Sequence, residues 1–342
     1  MFISEPVKEV FSNMCISYKL IIITFYGILT AFVVVVSDAT LNKTKGAEEE
    51  VFIIGSGKAS GIYFPVAGAI CQLLNLKREK TDPLCVVSPN INTETRLDAL
   101  RKKRLDFAIV QSDWQYWSFN GARFLINSEP FTSLASVTNL YTEPLVIAVR
   151  QKSGIRKLSD LKGRRISLGA KETAGRSMME ALISVYTVLI PGFSEVKELS
   201  ITQQTALLCD NDIDSAVYAV GSPSATLSTL TSKCLVSFLP VVGPTVDQLV
   251  KDNSYYKKAY IPGGIYRGID KDIPTFGVSS TLVTRLDVSD KIVSNIINKI
   301  NQNVEFFRSL HPALNWFESK QMLDDGLSAP LHPAVKSYYL NK

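Results

Sequence analysis

The sequence has very little of what metal sites and common catalytic centres need. Its 342 residues contain two histidines, His311 and His332, and each stands directly before a proline, which indicates turns. No Cys-x-x-Cys pair, His-Glu-x-x-His motif or Gly-x-Ser-x-Gly nucleophile elbow occurs. These absences argue against zinc enzymes and serine hydrolases, and we expect neither a metal nor a cofactor.

The chain also lacks a basic tract with interleaved aromatic residues, the pattern that binds nucleic acid. Its net charge is +5, but acidic and basic residues are interspersed. The densest basic cluster, residues 101–104, lies in a helical stretch and is typical of a solvated helix face. We therefore expect no nucleic-acid partner.

One long apolar run is present, residues 20–36, preceded by Lys19 and followed by the small residues Ser37 and Ala39. This pattern predicts a secretory signal that is cleaved after Ala39. The run is near the lower length limit of a membrane-spanning helix, so an uncleaved anchor in the inner membrane is the alternative. Residues 1–39 are thus an export segment, residues 40–50 a flexible lead-in, and the remainder is expected in the periplasm.

Cysteine is scarce but even in number after the export segment, which contains Cys15. The simplest pairing joins Cys71 to Cys85 and Cys209 to Cys234, because each bridge would close a short loop. Four buried free thiols are the alternative, which export to an oxidising compartment disfavours.

Residues 51–76 combine a short apolar strand pattern, a glycine-rich loop at 55–61 and a helical pattern at 62–76. Backbone N–H groups and the positive helix end at such a loop favour an anion. The loop has neither the G-x-G-x-x-G spacing of dinucleotide sites nor the Gly-Lys-Ser/Thr of a P-loop. A tight turn without a ligand is the alternative.

The same plan occurs a second time in the chain. The matched pairs are Gly55 with Gly169, Gly61 with Gly175, Asp106 with Asp214 and Ala108 with Ala216. Two strand–loop–helix units of one design predict two similar α/β lobes with a cleft between them. Chance similarity of short apolar runs is the competing explanation.

Two further patterns bear on the architecture. The aromatic residues Trp114, Tyr116, Trp117 and Phe119 follow a strand pattern, and we interpret most of them as core beneath a loop. Strong helical periodicity over residues 288–307 predicts one helix that closes the first lobe.

Five segments give the chain a resemblance to a known family: GIYFPVAGAIC (61–71), FAIVQSDWQY (107–116), ALLCDNDIDSAVYAVGSPS (206–224), IPGGIYRG (261–268) and GLSAPLHPAVKSYY (326–339). The chain resembles the solute receptors of tripartite ATP-independent periplasmic (TRAP) transporters, in the branch called TAXI. The resemblance implies an α/β, two-lobed type-II periplasmic-binding-protein fold with crossing hinge strands. With strand patterns near 143–150 and 276–284 as the crossings, residues 51–145 and 280–342 form lobe one and residues 146–279 form lobe two.

The resemblance also implies a function. Such a receptor captures a small carboxylate, such as glutamate or a dicarboxylate, between its lobes and delivers it unchanged to a TRAP-type permease in the membrane. The alternative is an exported, transferase-like enzyme of the same fold that acts on a small acid or phosphate ester, with Asp113 or Lys58 as its catalytic group. A sensor held in the membrane by residues 20–36 is a third interpretation.

Positions that match the family predict the ligand site. The residues from lobe one are Gly57, Ser60, Gly61, Tyr63, Gln111 and Asp113, and those from lobe two are Thr173, Gly175, Tyr218, Pro223 and Tyr266. For each residue, a role in the turn or hinge itself is the alternative. Residues 89–93 and 171–175 depart from the family pattern, and Glu172 would place a negative charge beside the carboxylate, which we expect Lys171 and Arg176 to offset.

Overall fold

The computed structural model describes residues 50–59, 61–89, 92–122, 125, 127–171, 173–186, 192–323 and 326–340. The predicted export segment, residues 1–39, and nearly all of the lead-in, residues 40–50, lie outside the described residues. None of the described helices has the length and apolar content that a membrane crossing requires.

The described chain alternates between strands and helices. Strands β1 to β10 are Val51–Ser56, Leu84–Pro89, Phe107–Gln111, Leu134–Arg150, Arg165–Ser167, Glu195–Lys197, Ser215–Ala219, Val236–Phe238, Tyr256–Ile261 and Ile273–Arg285. Helices α1 to α10 are Tyr63–Leu76, Thr93–Arg101, Ser112–Asn120, Ala174–Val185, Ile201–Cys209, Ala225–Lys233, Pro244–Asp252, Asp290–Gln302, Val304–Ser309 and Pro333–Leu340. Short 3-10 turns occur at Gln151–Ser153, Leu158–Leu161, Pro312–Leu314 and Ser319–Met322.

One ten-stranded sheet passes through this part of the protein in the order β2-β1-β3-β10-β4-β7-β5-β6, with β8 beside β4 and β9 beside β10. The strands β1, β2 and β3 are parallel, as are β5, β6 and β7. Strands β4 and β10 run antiparallel to their neighbours. Two parallel α/β halves are therefore joined by antiparallel strands, which confirms the predicted fold class.

The two long strands carry the chain between the halves. Strand β4 has 17 residues and pairs with β10 as far as Pro144, then with β7 from Leu145 onward. Strand β10 pairs with β9 near its start and with β3 near its end. Gly277 lies at this crossing, where an added Cβ would meet the backbone of Glu143 and Pro144, so a side chain does not fit.

Side-chain caps and apolar periodicity explain the helices. Asn92, Thr173, Ser200 and Ser224 each precede a helix, and their side chains accept a backbone N–H from its first turn. Helix α8 buries Val293, Ile296, Ile297 and Ile300, which lie on one face at helical spacing. This face packs with α1 against the first half of the sheet.

The aromatic residues after β3 lie in helix α3. Trp114 is buried in a core cluster, Trp117 and Phe119 pack against that cluster, and Tyr116 is exposed, so most of the four belong to the core as predicted.

One local prediction was wrong. The helix predicted over 288–307 is interrupted at Asn303, which adopts φ −133° and ψ 39°. The Asn303 side chain donates to the Lys299 carbonyl at 2.8 Å, a local bond that competes with continuous helix.

The predicted disulfide pairing is confirmed. Cys71 is bridged to Cys85 with the Cα atoms 5.0 Å apart, and Cys209 to Cys234 with the Cα atoms 5.3 Å apart. The first bridge ties α1 to β2, and the second ties α5 to the end of α6.

The internal repeat is visible in the backbone. Asp106 precedes β3 and exchanges two hydrogen bonds with Ile53 of β1: its carboxylate accepts from the Ile53 N–H at 2.9 Å, and its N–H donates to the Ile53 carbonyl at 3.0 Å. Asp214 precedes β7 and makes the same exchange with Arg165 of β5, at 3.0 and 2.8 Å. One local design therefore builds both halves.

Candidate functional site

A polar cluster lies where the first half of the sheet meets the crossing strands. It consists of Tyr63, Arg96, Gln111, Tyr141 and Glu143, and we call it the Glu143 cluster. Tyr141 and Gln111 both lie opposite Ser280 in the sheet, and Glu143 is two residues beyond Tyr141. Because side chains alternate along a strand, these three residues share one face of the sheet.

Hydrogen bonds hold the Glu143 carboxylate in place. Gln111 Nε2 donates to Glu143 Oε2 at 3.3 Å. Gln111 Oε1 in turn accepts from the Thr93 hydroxyl at 2.9 Å. The amide of Gln111 is thus oriented with its nitrogen toward Glu143.

Arg96 from α2 is the cation of the cluster, with 2% of its surface exposed. Its guanidinium donates to the carbonyls of Ile109 and Ser56 and to the Thr93 hydroxyl, at 3.0, 3.3 and 2.8 Å. It also lies over the Tyr63 ring, 5.1 Å from the ring centre. These protein acceptors fix Arg96 in its position.

Several polar atoms of this region have no hydrogen-bond partner of normal geometry among the described residues. They are the hydroxyls of Tyr63 and Tyr141, Glu143 Oε1 and Asp113 Oδ2. Burial raises the pKa of Glu143 to about 7, although Tyr63, Gln111 and Arg96 favour its ionised form. Because an unpaired buried polar atom is costly, this arrangement suits a bound molecule that supplies donors.

Asp113 lies in the first turn of helix α3 and is fully buried. Its Oδ1 accepts from the Trp114 N–H at 2.8 Å, while burial, with a further contribution from Glu143, raises the pKa of its carboxyl to about 7. Its neighbour Ser112 donates to the Tyr255 carbonyl at 2.7 Å, just before β9. Asp113 therefore lies just beyond the end of β3, next to the residue that bonds the segment before β9.

The glycine loop after β1 forms a tight turn. The Gly61 N–H donates to the Lys58 carbonyl at 2.9 Å. Gly57 is buried, and an added Cβ there would lie 3.3 Å from the Tyr63 Cβ. Ser60 lies outside the described residues.

In the second half, three predicted residues meet where α4 approaches β7. Thr173 caps α4, and its hydroxyl donates to the Ala170 carbonyl at 2.8 Å. An added Cβ at Gly175 would lie 3.1 Å from the Tyr218 carbonyl carbon. Tyr218 is buried with its hydroxyl 3.5 Å from Thr205 Oγ1. Gly175 thus allows the close packing of α4 on β7.

Tyr266 supports the loop at residues 221–224, which also contains Pro223. Its hydroxyl accepts from the Ser224 N–H at 2.8 Å and lies 3.4 Å from Ser222 Oγ. An added Cβ at Gly221, in the same loop, would lie 2.7 Å from the Tyr141 ring. This loop of the second half therefore contacts the Glu143 cluster directly.

The cations expected to offset Glu172 have other partners. Arg176 lies 2.9 Å from Glu198 and 2.5 Å from Glu180, and Lys171 Nζ lies 3.7 Å from Glu198. Glu172 itself lies outside the described residues. Elsewhere in the described chain, no group of three or more His, Cys, Asp or Glu residues could hold a metal ion.

A cavity of about 380 Å³ adjoins the Glu143 cluster at Tyr141. Its lining comes from β4, β9, Ser222 and the segment 313–318, including Tyr260, Trp316 and Phe317. None of the residues predicted for the ligand site lines this cavity, although Ser222 directly precedes Pro223.

A model of the NMT1-like family matches residues 54–342. The chain belongs to the NMT1-like family. Similar solved structures include the periplasmic aliphatic sulphonate binding protein SsuA from Escherichia coli, with 13% identity and a TM-score of 0.49 over 85% of this chain and 83% of that one. Another is the ligand-binding component of an ABC-type import system from Staphylococcus aureus with zinc bound, with 14% identity and a TM-score of 0.46 over 85% and 93%.

In this NMT1-like chain, sequence reasoning missed Arg96, Tyr141 and Glu143. The one available signal was Glu143, an acid at the start of the apolar run EPLVIAVR. Arg96 gave no signal, because a single arginine in a polar helix is ordinarily solvated.

Proposed function

We propose that this chain is an extracytoplasmic solute receptor that binds a small molecule between its two halves and releases it unchanged. The observation that carries the proposal is the group of buried atoms at Tyr63, Tyr141, Glu143 and Asp113 that meet no partner of normal geometry among the described residues. Each such atom costs about 1–3 kcal/mol when it has no partner. A bound solute that supplies partners accounts for several of them at one place.

Closure of the two halves would complete the site. The loop at 221–224 contacts Tyr141, while β4 and β10 connect the halves and can serve as the hinge. A solute held by the first half would then be covered by this loop. Tyr218, Pro223 and Tyr266 belong to this covering wall in our proposal.

The solute that we propose is a small carboxylate, glutamate or a dicarboxylate. Backbone N–H groups at Gly57, Thr173 and Gly175 would hold the carboxylate near the starts of α1 and α4, while Gly61 shapes the first loop through its bond to the Lys58 carbonyl. Gln111 and Asp113 would orient the rest of the molecule.

The partner that we propose is a TRAP-type permease, in keeping with the five TAXI-like segments. Export is supported by the two disulfides, which persist in oxidising compartments such as the periplasm. Membrane vesicles that contain the permease should accumulate labelled solute only when this receptor is added.

The proposal can be tested by calorimetry and thermal unfolding of the purified chain. The ligands to test are L-glutamate and small dicarboxylates. We expect binding of one solute per chain and a raised melting temperature, with the solute unchanged in its NMR spectrum after incubation. Chemical conversion of the solute would instead favour the transferase-like enzyme. Failure of every carboxylate to bind would contradict the carboxylate assignment.

A further inference from the structure

The charges of the Glu143 cluster disfavour a solute carboxylate beside Glu143. Among the described groups that act on the Glu143 carboxylate, the one cation is Arg96. The Arg96 guanidinium makes three hydrogen bonds to protein oxygens at 2.8 to 3.3 Å. Arg96 is therefore bound by protein oxygens. The nearby atoms that meet no partner of normal geometry among the described residues are carboxylate oxygens and tyrosine hydroxyls.

Glu143 presents one oxygen in a defined direction. A chain of hydrogen bonds runs from Arg96 to Thr93, from Thr93 to Gln111 and from Gln111 to Glu143 Oε2. The other oxygen, Oε1, meets no donor of normal geometry among the described residues, although Glu143 is only 3% exposed, and the further side chain there that bonds the carboxylate is the uncharged hydroxyl of Tyr63. A carboxylate oxygen held in this way needs a donor, and a charged donor gives the stronger bond.

Two tyrosine rings flank this oxygen's side chain. Tyr63 and Tyr141 have ring centres 6.5 Å apart and planes inclined at 63°. The Glu143 charge raises the pKa of both tyrosine hydroxyls, which places both beside the carboxylate. The faces of aromatic rings attract cations, and the Tyr63 ring already has the Arg96 guanidinium over it at 5.1 Å, so the surroundings of the acid favour a positive group.

We infer that Glu143 determines the specificity of the site by binding a positively charged nitrogen of the solute. This inference rests on the proposed receptor function and sharpens it. Of the carboxylates named above, glutamate carries the required ammonium group and a plain dicarboxylate does not. The Gln111 amide is then a positioning group for Glu143, and Arg96 balances part of its charge.

A matched pair of probes tests the inference: L-glutamate and glutarate, which differ only in the α-ammonium group. Putrescine and 1,4-butanediol form a second pair in which the charged nitrogens are replaced by hydroxyls. We expect each amine to bind at least about tenfold more tightly than its partner. Glu143→Gln should abolish that preference, whereas the control Glu305→Gln, on a side chain that is 86% exposed, should retain it.

Proton release gives a second measurement on the same complexes. A bound ammonium favours the ionised carboxylate, so glutamate should expel a proton from Glu143 when it binds at about pH 6. The titratable groups that face Glu143 are Tyr63, Arg96, Asp113 and Tyr141. Calorimetry in two buffers of different ionisation enthalpy should detect this proton in the parent protein and not in Glu143→Gln.

The outcomes separate the inference from the function on which it rests. Equal binding of glutarate and glutamate, or an unchanged preference in a folded Glu143→Gln protein, would overturn the inference and leave the receptor function standing. If no probe of either pair binds the folded protein, the inference and the carboxylate receptor assignment fail together.

Discussion

Asp214 in the second half and Glu143 in the first are both carboxylates of low exposure, 9% and 3%. Asp214 accepts from the guanidinium groups of Arg165 and Arg150 at 2.9 and 3.2 Å, and from the Arg165 N–H. These bonds hold the pKa of Asp214 at about 2. Glu143 accepts from the Gln111 amide and the Tyr63 hydroxyl, both uncharged, and burial raises its pKa to about 7.

The difference separates a structural acid from the acid that we propose is available to a ligand. The contacts of Asp214 tie the start of β7 to β5 through Arg165 and to β4 through Arg150, because backbone and side-chain donors converge on its two oxygens. Among the described residues Glu143 receives uncharged side-chain donors, the Gln111 amide and the Tyr63 hydroxyl, and its Oε1 meets no donor of normal geometry. Burial alone therefore does not distinguish the two roles, whereas the number of donors does.

The largest expected effect is the loss of stability when a disulfide is removed, and it can be compared between the two halves. Serine replacement of Cys71 and Cys85, or of Cys209 and Cys234, should lower the free energy of unfolding by about 3 kcal/mol. The second pair closes the longer loop, with a separation of 25 residues against 14, so its loss should cost about 0.5 kcal/mol more. Urea unfolding of both double variants measures this, and a clearly larger loss in the first half would contradict loop entropy as the cause.

Glu143→Gln should stabilise the protein without solute by about 2–3 kcal/mol at about pH 8. The folded pKa is raised from 4.5 to about 7, so the folded protein holds a proton that the unfolded chain releases. The contribution of Glu143 to stability is therefore greatest in acid and declines as the pH rises toward 7. Unfolding at about pH 5 and about pH 8 should show a gain in the variant that is several times larger at the higher pH. A variant that is less stable than the parent at the higher pH would exclude an unpaired charge at Glu143.

Asp214→Asn should have the opposite sign and destabilise the protein by about 1–2 kcal/mol near neutral pH, allowing for solvent screening of the arginines. The folded pKa is lowered from 3.8 to about 2, so the stabilisation is present above the unfolded value and disappears as the pH falls through the folded one. Melting temperatures measured across this acidic range should show the variant and the parent converging. A gap that persists at the lowest pH would point to lost packing instead of lost charge.

Asp106→Asn is the matched substitution in the first half and should cost about 0.5 kcal/mol or less. Asp106 makes the same backbone exchange as Asp214, but Arg285 lies 3.9 Å away, and asparagine can still accept the Ile53 N–H. Thermal unfolding beside Asp214→Asn gives the comparison. Equal losses in the two variants would show that the arginines of the second half do not account for the difference.

Local signals in the sequence were enough for much of the architecture. Period-two and helical patterns located β1, α1, β3 and α5, because an element's apolar face depends on its own residues. The disulfides followed from loop length, and the repeat followed from Gly55, Gly169 and the two aspartates. The interruption at Asn303 and helix α3 were missed, because a side-chain bond and an aromatic-rich helix leave no distinct periodicity.

The chain's own residues therefore determined two α/β halves, two bridges and glycine turns at equivalent helix starts. Only the tertiary structure decided that Glu143 is buried, because its surroundings come from β3, α1 and α2 and not from its own strand. Arg96 is likewise an ordinary helical arginine until β1 and β3 place the Ser56 and Ile109 carbonyls around it. Hydrogen-bond satisfaction depends on neighbours that are distant in the chain, and so the sequence identified where the halves meet but not which charges remain unpaired there.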